Sequence, residues 1–164
     1  FISSSGTIKR TVRVIAGKTI NLEVPVFSGW LALFAPVVLD VSEDGKSLGT
    51  TEDKRLMIAP GHHKLALTNR ELGYSAVHEV DVDAGQVTSL TIDPRGTANF
   101  SSNPDSEVWM DGRRLGVTPL AGLPVPLGVR DFIFKHPDHG ERRATITVRA
   151  DAPAAVSVDF TKQQ

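Results

Sequence analysis

Apolar and polar residues alternate along most of this chain with a period of two. Leu31 and Leu33, and 67 positions later Ala98 and Phe100, fall on one face of an extended segment, while Trp30, Ala32, Thr97 and Asn99 fall on the other. Alternation of this kind, interrupted every six to twelve residues by Gly, Pro or Asp, predicts short strands with one buried face. No stretch of twelve residues shows a convincing helical period, and Pro or Gly breaks most windows of that length. Pro60-Gly61 before residues 63–67, and Pro126-Leu127-Gly128 before residues 130–134, read as turns into strands. A closing hairpin is expected over 75–83 and 87–92, and again over 141–149 and 154–160.

The elements come in two copies. Gly29, Gly45, Gly49, Gly61 and Gly73 are matched 67 residues later by Gly96, Gly112, Gly116, Gly128 and Gly140, with no insertion between them. Glycines held in register mark one set of turns used twice. Residues 41–51 lie over 108–118, and after Gly73 the offset falls to 66, so that Val80 to Ala84 lie over Ile146 to Ala150. Asp44-Gly45 and Asp111-Gly112 are hairpin signals, since a two-residue turn needs positive φ at both positions. They are not calcium loops, because neither supplies the further oxygen ligands of an EF-hand. The same ending occurs a third time, where Val12 to Gly17 and Leu22-Glu23-Val24 match Val80 to Gly85 and Leu90-Thr91-Ile92.

The expected fold is therefore all-β: two tandem small antiparallel β-sandwich repeats, 29–94 and 95–164, preceded by the terminal β-hairpin of an incomplete repeat over 1–28. Short connections fall near 25–28 and at Pro94-Arg95. Because the chain opens at Phe1 inside a repeat, it reads as a fragment or processed segment of something longer.

Composition refines this. At 164 residues and 40% hydrophobic content the chain is an ordinary globular one, and a unit of about 66 residues is marginal unless it packs on a neighbour. A formal net charge of −1 argues against nucleic acid as a partner. By segment, four basic and one acidic residue give +3 over 1–28, five and ten give −5 over 29–94, and nine and eight give +1 over 95–164. These are read as solvated surfaces of different sign. Cysteine is absent, so disulfides and thiolate metal sites are impossible. The most apolar stretch, residues 30–41, is interrupted by Pro36 and Asp40 and is too short to span a bilayer, so no membrane insertion is expected in this segment.

Candidate chemistry is sparse. His62-His63 and His136-Pro137-Asp138-His139 each offer two possible zinc or copper ligands, but a third does not stand nearby. Their repeat mates are Val129, Arg130, Asn69 and Leu72, which excludes a metal function common to both repeats. There is no Gly-x-Ser-x-Gly elbow and no glycine-rich phosphate loop, and the carboxylates fall mostly in turns or at outward positions. No catalytic residue, cofactor or metal is expected. Trp30 and Trp109 stand out as a candidate interaction surface, since their parity points away from the core marked by Leu31, Leu33, Val108 and Met110. A rigid exposed ring suits stacking on a glycan or anchoring a protein partner, although large rings are more often covered by a neighbouring loop or unit. Their mates, Thr97 and Ser42, are small and polar, so the two sites are not one duplicated pocket. Asn99-Phe100-Ser101 is a glycosylation sequon that matters only in a host that uses it.

The second repeat resembles the PEGA domain, a bacterial and archaeal repeat module with a sandwich of the immunoglobulin or transthyretin kind. The residues that carry the likeness are Asn103-Pro104-Asp105-Ser106-Glu107-Val108, Met110-Asp111-Gly112 and Gly116-Val117-Thr118-Pro119-Leu120. Asp-Ser-Glu replaces the eponymous residues after Pro104. The first repeat departs further, with Ala35-Pro36-Val37-Val38 at that bend and Glu52 in place of the second proline. The resemblance implies an extracytoplasmic module, periplasmic or at the cell surface, attached to larger proteins such as membrane-anchored kinases and envelope proteins. It transfers no catalytic residue. A non-enzymatic spacer or adhesive scaffold is the resulting expectation, with glycan or protein recognition as the alternative. The tail over 1–28 reads as a truncated bead or, since its strands would have open edges, as a means of self-association by strand addition, as in a filament.

Overall fold

The computed structural model describes residues 28–162 together with Ile2–Ser3, Gly6–Thr7 and Gly17. Every regular element is a strand among the described residues. β1 (Ile2–Ser3) pairs with β2 (Gly6–Thr7). The first repeat holds β3 (Gly29–Phe34), β4 (Asp40–Glu43), β5 (Lys46–Thr50), β6 (Leu56–Ile58), β7 (Gly61–Asn69), β8 (Tyr74–Val82) and β9 (Val87–Thr91). The second holds β10 (Arg95–Asn103), β11 (Glu107–Met110), β12 (Arg113–Val117), β13 (Leu120–Pro126), β14 (Gly128–His136), β15 (Gly140–Val148) and β16 (Ala154–Asp159). The topologies coincide strand for strand. Three-stranded sheets run β6-β3-β9 and β13-β10-β16, and four-stranded sheets run β5-β4-β7-β8 and β12-β11-β14-β15.

One pairing differs from the hairpin pattern expected from sequence. β9 lies parallel to β3, and β16 parallel to β10, rather than beside the strand that precedes each in sequence. The connection after β8 or β15 thus crosses from one sheet to the other, and the closing hairpins expected over 75–92 and 141–160 do not form. The alternation marks which face of a strand is buried, but both arrangements bury the same face. The strands expected at Val12 to Val14 and Leu22 to Val24, and with them most of the hairpin expected over 1–28, lie outside the described residues. Gly17 is described, and its φ of 80° matches the 73° of its counterpart Gly85.

The turns follow the sequence closely. Asp44 and Gly45 have φ of 49° and 78°, and Asp111 and Gly112 have 49° and 75°. Two consecutive left-handed residues make the type I′ turn that joins Glu43 to Lys46 and Met110 to Arg113. Each hairpin then carries the same bulge, with Leu48 or Leu115 as the unpaired residue. A Cβ at Gly112 meets nothing within 4 Å, so only its backbone conformation resists a side chain. Gly112→Ala is accordingly expected to lower stability by about 1 kcal/mol, read as a reduced denaturation midpoint.

By compactness the described chain forms two units. The first gathers β3, Leu39–Leu67 and Val77–Thr91; the second gathers Ala35–Val38, Thr68–Ala76 and the chain from Ile92 onward. In the first unit, Leu31, Leu33, Val41, Ile58, Leu65, Leu67 and Val82 are buried. The second is a sandwich: Ala98, Phe100, Val125 and Val156 from its three-stranded sheet meet Val108, Phe132, Phe134 and Val148 from the other in one core. Phe100 and Phe132 have ring centroids 4.8 Å apart. Leu72 belongs to this core, with Val37 and Tyr74 packed against it, although all three come from the first repeat. Leu72 is held there because its carbonyl accepts the Ala150 N–H at 2.7 Å, and its own N–H donates to Asn69 Oδ1 at 2.8 Å. The Asn69 amide donates in turn to the Val38 carbonyl at 2.8 Å. Burial raises the Tyr74 phenol above its usual pKa.

A threonine fastens the same corner in both repeats. Thr51 N–H donates to Leu39 O and Leu39 N–H donates to Thr51 Oγ1, each at 2.9 Å. Sixty-seven residues on, Thr118 N–H donates to Ser106 O and Ser106 N–H to Thr118 Oγ1, again at 2.9 Å. Thr118 and Ser106 are both buried, and the Ser102 hydroxyl lies 2.6 Å from Thr118 Oγ1. The bonds preceding Pro104 and Pro119, beside this corner, are cis. Thr118→Val keeps the shape and removes the oxygen, leaving the buried Ser106 N–H without its acceptor. A loss of about 1–3 kcal/mol is expected by chemical denaturation.

Candidate functional site

The two tryptophans lie on outward faces, as their parity implies, but the structure assigns them different surroundings. Trp109 sits on β11 beside the fully buried Val108 and faces the other way. Sheet register places Arg114, Trp109, Ile133 and Arg143 in one row across β12, β11, β14 and β15. The indole N–H donates to Glu107 Oε2 at 3.1 Å, and the same carboxylate pairs with Arg114 Nε at 2.8 Å. Lys135 Nζ stands 5.2 Å from the ring centroid and pairs with Glu141 at 2.6 Å. The ring is thus half-buried beneath groups of its own sheet. Its one polar handle is occupied, and an exposed ammonium over a ring contributes about 0.5–1 kcal/mol.

Trp30 sits on β3 in the first unit. Met57 on β6 and Val87 on β9 are its register partners, so three apolar side chains form one row on the outer face of the three-stranded sheet. Met57 is 53% and Val87 42% exposed, and Phe34, two positions further along the strand's face than Ala32, is 58% exposed. Ala32 itself, outward by parity, is buried. The tryptophans therefore occupy different sheets of different units, each with its own surroundings.

The histidines separate in the same way. Adjacent residues of a strand point to opposite faces. His62 faces solvent, with Nδ1 2.9 Å from Asp81 Oδ1 and Nε2 3.7 Å from Glu79 Oε2. Lys64 Nζ lies 2.8 Å from Glu79 Oε1; the hydrogen bond and charge of Lys64 hold the Glu79 carboxyl below the usual carboxylate range. His63 is buried, with Nδ1 2.8 Å from Glu43 Oε1 and Nε2 2.7 Å from the Ala59 carbonyl oxygen. These two rings cannot share an ion. The rings of His136 and His139 do approach, with centroids 4.7 Å apart beside Phe160, but His136 Nδ1 accepts the Asp138 N–H at 3.1 Å. Among the described residues no group of three His, Asp or Glu side chains is placed to hold a metal ion.

Two of the depressions on the described surface border residues named above. One of about 290 Å³ is lined by Glu43, Asp44, Lys46, Leu48, Met57 and His63, among others. Another, of about 450 Å³, lies between Glu107, Lys135, His136, Pro137, Gly140 and Glu141, whose charged members already pair among themselves or with Arg114.

The Glu43–His63 pair escaped the reading of the sequence, although a signal for it was present. The repeat mates of Glu43 and His63 are Met110 and Arg130, so the two positions change together. In the second unit the Arg130 guanidinium donates to the Pro126 carbonyl at 3.3 Å and to Leu127 O at 2.5 Å. Pro126 is the mate of Ala59, so both repeats place a donor against the carbonyl that precedes the turn into the long strand.

Fold and surface together define a tandem β-sandwich protein. No family model matches the chain, and no curated protein matches it. Among solved structures it is similar to the Bacillus anthracis TIE protein, at 14% identity and a TM-score of 0.33, over 81% of this chain and 34% of that one. The chain spans about a third of that protein's length.

Proposed function

We propose that this chain is a non-enzymatic, PEGA-like structural module of an extracytoplasmic protein, serving as a spacer or adhesive scaffold in the periplasm or at the cell surface. One observation supports this reading above the others: what the repeats share is architecture, and what they do not share is surface. The type I′ turns, the bulges, the threonine corner and the sheet order recur at matched positions. Trp30, Trp109 and the histidines do not recur. A duplicated binding function would hold its contact residues in both copies, whereas a duplicated spacer needs only the fold.

Titration with a panel of neutral and acidic saccharides, followed by tryptophan fluorescence, tests the reading. No saturable change is expected up to millimolar concentration. Saturable binding abolished by Trp109→Ala would replace the scaffold with glycan recognition. Fractionation of the source cells is expected to place the protein outside the cytoplasm, and recovery in the cytosol would overturn that part.

A second reading, recognition of a protein partner, is favoured by the Met57–Trp30–Val87 row, since exposed aliphatic side chains flanking an aromatic ring make an interface centre. Self-association is its simplest form and is tested by light scattering: a concentration-dependent rise in mass that Trp30→Ser removes would establish it.

A further inference from the structure

We propose that the first unit carries a docking seat for a second copy of this chain: the β14–β15 loop of one copy, at His139 and Gly140, settles beside Gly61 and Ala84 of the next. This deepens the scaffold reading and rests on it, since it says how such modules join. The second unit shows the seat filled. The β7–β8 loop lays Leu72 into its core, the Leu72 carbonyl accepts the Ala150 N–H at 2.7 Å, and a Cβ at Gly73 would overlap the Asp151 side chain. Val37 stands so close to the buried Gly128 that a Cβ there would meet its methyl group at 2.9 Å. All of these contacts lie within the second unit.

The first unit has the same seat, open. Ala84 stands in place of Ala150, Gly61 in place of Gly128 and Gly85 in place of Asp151, and all three are exposed. Among the described residues a Cβ at Gly61 or Gly85 meets nothing within 4 Å, and the Ala84 N–H has no hydrogen-bond partner. A seat that differs from a filled one mainly in lacking its occupant suits an occupant of the same form.

The second repeat supplies that form. Asn69 to Gly73 and His136 to Gly140 span loops of equal length, and the two glycines have φ of 64° and 76°. Where Leu72 is buried, its mate His139 is exposed, with its ring 6.2 Å from that of Phe160, over which Arg142 lies at 5.8 Å. Charge favours this loop for the open seat. Glu79, Asp81 and Asp83 lead into it, where Thr145, Thr147 and Arg149 lead into the filled one. Lys64 and His62 pair with the first two carboxylates, and Asp83 has no ion-pair partner among the described residues. An imidazole and a guanidinium brought to Asp83 supply what Arg149, paired with Asp151, already supplies in the second unit. Loop and seat are different surfaces, so the contact is heterologous and each added copy presents a fresh loop to the next.

The chain has no cysteine, so introduced thiols report the contact without background. Ala84→Cys and His139→Cys, each in the full chain, change exposed side chains. Mixed in equal amounts with a short bis-maleimide, they are expected to give about tenfold more cross-linked dimer than either variant alone, because the contact sets the local concentration of the two thiols. A chain carrying both should form a ladder of multimers. Asp83→Arg added to Ala84→Cys should cut the yield by about threefold. Trp30→Ser should leave the yield unchanged, which separates this contact from association through the Trp30 row. Equal yields from the mixture and the single variants would overturn the proposal, as would loss of the cross-link with Trp30→Ser. Should the cysteine variants not fold, light scattering of the unaltered chain decides: a monodisperse monomer at millimolar concentration refutes the docking. Any of these failures leaves the saccharide and fractionation tests, and with them the scaffold reading, standing on their own results.

Discussion

Phe132→Ala is expected to remove about 3–5 kcal/mol from the second unit, the largest effect of any single truncation considered. Phe132 is fully buried and packs against Phe100 at the middle of the sandwich, where the two sheets meet. Truncation loses the transfer free energy of the ring and leaves a cavity that both sheets must close around. Small domains have total stabilities at the low end of about 5–15 kcal/mol, so the variant should be largely unfolded at moderate denaturant where the parent is not. Fluorescence of Trp109 follows this directly. Phe132→Leu, which keeps most of the volume, should lose less than about 1.5 kcal/mol. A Phe132→Ala protein whose midpoint matches the parent would place the core elsewhere.

Gly96→Ala should cost on the order of 2–3 kcal/mol for a different reason. A Cβ at Gly96 would overlap the Arg149 carbonyl oxygen and come within 2.9 Å of a Val148 methyl group. The first neighbour is backbone and cannot turn aside, so one strand must move. Gly29 meets the matched atoms, the Asp83 carbonyl oxygen at 2.7 Å and a Val82 methyl group, so Gly29→Ala should damage the first unit similarly. Gly116 provides the contrast. Its nearest neighbour is a Leu120 methyl group at 2.9 Å, the end of a flexible side chain, and Gly116→Ala should cost well under half as much. Thermal unfolding of the three variants, each followed by the tryptophan of its own unit, checks the order. Equal effects at Gly96 and Gly116 would sink the close-approach account.

Much of the architecture was legible in the residues, for identifiable reasons. Asp44-Gly45 and Asp111-Gly112 specify their turn locally, because few residues tolerate two successive left-handed conformations. Gly29 and Gly96 were visible as matched glycines, though not which strand approaches them. The parity of Leu31, Phe100 and Val108 gave the buried faces correctly. Pairing partners were less accessible. Nothing local to Val87 or Ala154 reveals that these strands run parallel to β3 and β10, since the connection is long enough to cross between sheets. The candidate surface was half legible. That Trp30 and Trp109 face outward followed from alternation, but the carboxylate and ammonium that occupy Trp109 come from β11 itself and from β14, and only register brings Lys135 there. His63 looked like its neighbour His62 in sequence, and only the side of the strand on which each falls separates a solvated group from a buried one.

The stitching of Leu72 into the second unit bears on how such a chain can be cut or recombined. An excised fragment beginning at Arg95 would contain every strand of the second repeat and still lack Leu72, Val37 and Tyr74, leaving an apolar gap where they sit and the Ala150 N–H without its acceptor. The stretch of gene that was copied and the stretch of polypeptide that folds are therefore offset from one another. Shuffling by whole repeats would hand each new neighbour a foreign plug.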